Sequence, residues 1–282
     1  MDVTVVEGEG TWGCGDMALL EARGLTVSYG GVHANDSINL DCHDGMLVGL
    51  IGPNGAGKTT FIDAITGFTP INQGTVTFDG VDLVGKGPDK RSIMGLTRTF
   101  QSLELFEDLS VRDNLLAAAE RPKWYSLVSD VVMPRRHERK YHEQVEWALD
   151  VMRVGYLADV MPSDLSHGQR KLVSVARALA ARPRLILLDE PAAGLDTAES
   201  TLLGKHLREC LAHNMGMFLI DHDMGLVLNV CDYIYVLDFG RIIAEGSPAE
   251  VRANPAVIAA YLGESGADIQ QSAATDHAQA HQ

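Results

Sequence analysis

The sequence predicts an α/β fold built on a largely parallel β-sheet. Two observations carry that prediction. Short apolar runs bounded by turn residues recur at 47–51 (LVGLI), 185–188 (LILL) and 217–220 (MFLI), as expected of strands buried on both faces. Stretches of helical periodicity flank the later runs, and strand–helix alternation is what a parallel sheet requires. The 282 residues suffice for one domain, or two small ones, with a sizeable core.

The elements follow in order. Residues 1–16 are Gly-rich and acidic and read as a loose segment. Leu19 to Tyr29 is strand-like and ends in Gly30-Gly31, and residues 32–46 read as a second strand and a turn. The run 47–51 feeds a glycine loop and then a helix, TTFIDAIT, which Gly67 stops. TVTFDG at 75–80 is a strand and turn, and Gly95 to Gln101 is a short extended piece. Residues 103–163 change character: they hold Trp124, Trp147, the basic cluster 135–140 and helical periodicity at Val145, Ala148, Leu149 and Met152. We read them as a helical insertion. A further helix starts after Ser166, with Leu172, Val175, Ala176 and Leu179 on one apolar face. The tail 263–282 lacks apolar periodicity and reads as disordered.

Composition narrows the function. A formal net charge of −15 argues against wrapping nucleic acid, whose binding rests on Lys and Arg, and against lying on anionic lipid. Cys14, Cys42, Cys210 and Cys231 form no C-x-x-C pair, so neither a zinc site nor a disulfide framework is indicated. The N-terminus carries acids where a signal peptide needs positive charge, and no apolar run approaches the ~18 residues that cross a bilayer. If the protein works at a membrane, another chain is expected to cross it.

Gly52-Pro53-Asn54-Gly55-Ala56-Gly57-Lys58-Thr59 fits G-x-x-x-x-G-K-[ST], set between an apolar strand and a helix. Its glycines let N–H groups curl round phosphate, Lys58 supplies a point charge, and Thr59 a hydroxyl for Mg²⁺. The strand 185–188 delivers Asp189, a candidate Mg²⁺ ligand, and then Glu190, a candidate acceptor for a proton from attacking water. Ser166 sits at a helix N-cap, and Gly168 permits close approach to that helix start, a natural anion site. Gln101, His222 and Tyr29 stand at strand ends. Each alone has an ordinary explanation as a surface or packing residue. The match of residues 8–13 to G-x-G-x-x-G is set aside, because only the short MALLEAR stretch follows where a dinucleotide fold needs a substantial helix. The 135–140 cluster reads as a solvated helix face.

In this order, GPNGAGKTT, Gln101, LSHGQ, LILLDE, Gly194-Leu195-Asp196 and His222 resemble the ATP-binding-cassette ATPases over about residues 18–262. The resemblance implies a P-loop NTPase core with an antiparallel β subdomain and the inserted helical subdomain, in a domain spanning 17–262. It also implies that ATP and Mg²⁺ are bound, with Gly52 to Thr60 (Thr60 included) on the phosphates and Thr59, Asp189 and Gln101 on the metal. Glu190, His222 and Gln101 become the catalytic set, and Tyr29 the adenine-stacking ring. Ser166, Gly168, Gln169 and Asp196 would address an ATP held by a second cassette. His167 departs from the commonest pattern, which has Gly there. GLTRTFQSLELFEDLSVRDNLLAA, DEPAAGLD and the stretch from HDMGLVLNV to AAYLGE are similar to cassettes of branched-chain amino-acid, urea and amide importers. That implies a second cassette chain, identical or not, membrane permease subunits, an extracytoplasmic solute-binding protein acting indirectly, and a place on the cytoplasmic face of the membrane. A lipid or lipopolysaccharide exporter and a soluble cassette of the iron–sulfur assembly type are the alternatives.

Overall fold

A computed structural model describes residues 18–99, 105–120, 134–213 and 215–261. The segments 1–16 and 263–282, Gln101, Trp124 and the side chains of residues 135–138 lie outside the described residues, as does the G-x-G-x-x-G match.

Strands β1 (Leu20–Tyr29), β2 (Val32–Cys42), β3 (Leu47–Ile51), β4 (Gln73–Phe78), β5 (Val81–Asp82), β6 (Leu96–Thr99), β7 (Leu185–Asp189), β8 (Gly216–Ile220), β9 (Tyr233–Asp238) and β10 (Arg241–Gly246) form two sheets. The larger has the order β10-β9-β3-β8-β7-β6. All its pairings are parallel except the β9–β10 hairpin. The smaller, β2-β1-β4-β5, is antiparallel. Both the parallel core and the antiparallel sheet agree with the resemblance.

The side-chain period of 2 explains why the strands of the large sheet read as unbroken apolar runs. Leu47, Ile51, Ile186, Leu188, Met217 and Leu219 point into one core. Val48, Leu50, Leu185, Leu187, Phe218 and Ile220 point into the other. The second core lies against β1, β2 and β4 and helix α1 (Lys58–Thr66). The first lies against α3 (Val111–Ala119), α4 (Pro134–Val151), α5 (His167–Ala180), α6 (Thr197–Leu211) and α7 (Met224–Val230). Removing each such Leu, Ile or Phe side chain from water contributes about 1.5–3 kcal/mol.

Several elements were not read from the sequence. Helix α2 (Pro88–Met94) falls between the pieces read at 75–80 and 95–101, and β9, β10 and α8 (Pro248–Ala253) follow His222. The helical layer also continues past residue 163: α5 packs on both α3 and α4. Among the described residues, no helix is long and apolar enough to cross a membrane.

Candidate phosphate-binding and hydrolytic site

Parallel strands present their C-terminal ends on one side of the sheet, where open α/β folds bind ligands. Strand β3 ends there in the loop 52–57. Two of its glycines are required by close approach: a Cβ on Gly52 would stand 2.0 Å from the Leu237 carbonyl oxygen, and one on Gly57 (φ +107°) 2.3 Å from that of Ala34. The Asn35 side-chain amide of the antiparallel sheet donates to the Gly57 carbonyl at 3.1 Å. Helix α1 then starts at Lys58 with no side-chain cap and no acid in its first turn, so its positive end suits an anion. The Lys58 ammonium crosses the loop and donates to the carbonyls of Gly52 (2.5 Å) and Pro53 (2.9 Å).

Asp189 ends β7 almost buried. Its Oδ2 accepts from Arg98 at 2.7 Å, and the other arm of Arg98 donates to Asp63 at 2.5 Å. One guanidinium in β6 thus ties α1 to the tip of β7. Arg98 was missed by sequence reading. Its signal was a charge in the middle of a short strand next to Gln101.

Glu190 follows in a left-handed backbone conformation, φ 47°. Its N–H donates to the Ile220 carbonyl at 2.7 Å, which aims the side chain beside the end of β8. There His222 Nδ1 lies 3.8 Å from Glu190 Oε2 and 3.6 Å from Asp221 Oδ1. Asp221 is fully buried and accepts from the Ala192 and Asp223 N–H groups. Its role, too, was not read from the sequence.

A second grouping forms where two helices start. Ser166 Oγ accepts from the Gln169 N–H at 3.2 Å, and Gln169 Oε1 from the Ser166 N–H at 2.9 Å, a complete capping box. Asp196 caps α6 with Glu199 in the same reciprocal way. The two meet at Gly168, where a Cβ would stand 2.3 Å from Glu199 Oε1. Ser166, Gly168, Gln169 and Asp196 are therefore brought together. Tyr29 stands apart from both groupings: its ring is half exposed, and its hydroxyl lies 3.3 Å from Thr69 Oγ1, beyond α1.

This arrangement of phosphate loop, acidic strand tip, strand-end histidine and a separate capped helix start spans most of the chain. Residues 35–193 match the ABC transporter family. The chain belongs to the ATP-binding cassette family of transporter ATPases. Within it, residues 241–267 match the branched-chain amino acid ATP-binding cassette transporter family. The chain is 37% identical over 253 residues to the high-affinity branched-chain amino acid transport ATP-binding protein BraF of Pseudomonas aeruginosa, covering 87% of this chain and 98% of that protein. It is 38% identical over 250 residues to LivG of Escherichia coli, which carries the same description, covering 87% and 98%. Among solved structures it is similar to the ADP conformation of an ATP-binding cassette of an ABC transporter, with TM-score 0.77 and 32% identity over 88% of this chain and 99% of that one. A nucleotide-free cassette gives TM-score 0.75 at 32% identity, covering 87% and 99%. The cassette ATPase activity and the ATP site follow from this membership.

Proposed function

We propose that this chain energises a membrane importer of branched-chain or related hydrophobic amino acids, as one of two cassettes that close around ATP. The observation that carries the reading is the match of residues 241–267 to the branched-chain cassette family, on the same chain as the phosphate loop and acidic strand tip.

In this reading Gly52 to Thr60 cradle the phosphates of ATP, with Lys58 as the point charge. Tyr29 stacks on the adenine. Mg²⁺ fits the donor set: the Thr59 hydroxyl is exposed in the first turn of α1, the Asp189 carboxylate faces the same end of the sheet, and Gln101 would complete it. No group of three His, Cys, Asp or Glu able to hold a metal occurs among the described residues. A Mg²⁺ ion held here would share its coordination with substrate phosphates and water. When bound, the ion neutralises charge on the phosphate oxygens. Glu190 orients the attacking water and accepts its proton, and His222 donates to the γ-phosphate and steadies the Glu190 carboxylate. Ser166, Gly168 and Gln169 address the ATP of the second cassette, and Asp196 lies between the two sites. The chain sits on the cytoplasmic face of the membrane against permease subunits, which receive solute from an extracytoplasmic binding protein.

The test is affinity purification of the tagged chain from gently solubilised membranes, with partners identified by mass spectrometry. Polytopic permeases together with a second cassette are expected. Recovery of soluble partners alone would leave the ATPase standing and remove the importer.

A further inference from the structure

Helix α5 carries a buried charge that the site roles leave unused. Its apolar face packs Val173, Val175, Ala176 and Leu179 into the core, yet Lys171 is buried beside them at 5% exposure. An ammonium taken out of water is strongly unfavourable unless it is well compensated. The compensation comes from the hydrolytic end of the sheet. Lys171 Nζ donates to the Glu190 carbonyl oxygen at 3.3 Å, and Asp221, Glu190 and Asp189 attract it electrostatically. Burial pushes its pKa down against the pull of those three carboxylates.

One turn earlier on the same face of α5, His167 reaches the same loop. Its Nε2 lies 3.3 Å from the Ala193 carbonyl oxygen, which accepts from the ring in the tautomer protonated at Nε2. The loop between these two contacts is tightly bonded. The Glu190 carbonyl also accepts from the Ala193 N–H at 3.2 Å, while the Glu190 N–H is held by Ile220. The Glu190 peptide, in its left-handed conformation, is therefore gripped on one side by the sheet and on the other by α5.

We infer that Lys171 is a positioning residue that, with His167, clamps the Glu190–Gly194 loop to the helix headed by Ser166, so that docking of the partner's nucleotide at Ser166 sets the place of the Glu190 carboxylate. This rests on the shared-site reading given above. A shift of α5 moves the Glu190 peptide with it, because both contacts are to backbone atoms and no flexible side chain of the loop intervenes. A displacement of the order of 1 Å at a reacting group is worth up to about a hundredfold in rate.

The test compares Lys171→Met, Lys171→Arg and His167→Ala in the full-length chain, assembled with its partner cassette. Lys171→Met is expected to lower kcat for ATP hydrolysis by about tenfold or more and to abolish cooperativity in ATP, with KM within about twofold of wild type. Lys171→Arg, which keeps the charge, is expected to recover most of the kcat. Wild-type kcat in Lys171→Met, or a loss in KM alone, overturns the clamp. Because His167 is exposed, His167→Ala keeps the test open if Lys171→Met does not fold: a weaker loss of kcat with reduced cooperativity supports the clamp, and unchanged values overturn it. ATP-dependent pairing in a Glu190→Gln background separates the two readings. Absence of pairing there defeats the shared site itself. Pairing in both Glu190→Gln and Glu190→Gln/Lys171→Met, beside wild-type kcat in Lys171→Met, defeats only the clamp.

Discussion

At Glu190 the chain adopts a backbone conformation that costs an ordinary residue of the order of 1–2 kcal/mol. It persists because the Ile220 and Ala193 hydrogen bonds over-determine it. The same scale governs His206. This ring is almost fully buried on α6, and its Nδ1 has no hydrogen-bond partner and lies 3.8 Å from Glu209 Oε2. Burial pushes its pKa down, with Glu209 pulling it up and Arg153 and Lys205 adding to the fall. The folded protein thus binds fewer protons at His206 than the unfolded chain does. Its contribution to stability is present in full above the unfolded pKa of about 6.5 and is lost progressively as pH falls from there through the lower folded pKa. Wild-type Tm is therefore expected to drop more between pH 7.5 and pH 5.5 than that of His206→Gln. Equal drops, measured by thermal unfolding at both pH values, would show that His206 does not contribute.

Among the elements, the starts of α5 and α6 behave as one unit. Gly168 lies so close to Glu199 that a methyl group would displace its carboxylate. That carboxylate is also the reciprocal partner of the Asp196 N–H. Gly168→Ala is expected to cost about 0.5–2 kcal/mol, the worth of a helix cap, or about 2–4 °C in Tm per kcal/mol for a chain of this size. Once Glu199 is truncated to Ala the clash is gone, so the double variant should lose less than the sum of the two single variants. Strict additivity in a double-mutant cycle would mean that the two helix starts are independent. The β6–β7 edge shows a similar economy, since Arg98 joins α1 to the tip of β7 through two carboxylates.

For the whole molecule, the proposed sharing of the two groupings between paired cassettes is what can be measured. Glu190→Gln is expected to retain ATP binding, to lower turnover by about 10²–10⁴-fold as loss of a general base does, and to hold an ATP-bound pair of cassettes. Size-exclusion chromatography with ATP and Mg²⁺ against ADP reads the pairing directly. Wild-type turnover in Glu190→Gln would reassign the water-activating residue, and a monomer under both conditions would remove the shared site. If the partner is a second copy, the charge of −15 on each chain opposes their encounter, and added salt is expected to ease it by screening.

The sequence by itself determined the α/β class, the strand–loop–helix context of Gly52 to Thr59, the acidic tip at Asp189 and Glu190, and the capped helix at Ser166. Those features are local: periodicity, glycine spacing and capping chemistry are set by residues a few positions apart. Only the tertiary structure decided that Arg98 grips Asp189, that Lys171 and Asp221 are buried charges facing the same loop, and that Gly168 meets Glu199. These pairs lie far apart in the chain, and nothing in the spacing of an isolated Arg, Lys or Asp says which carboxylate or carbonyl will compensate it. The strands β9 and β10 went unread for a related reason. Tyr233 to Leu237 is an unbroken apolar run like those of β3, β7 and β8, but such a run does not say where in the sheet it lies; its place between β3 and its own hairpin partner is decided by pairing across the fold.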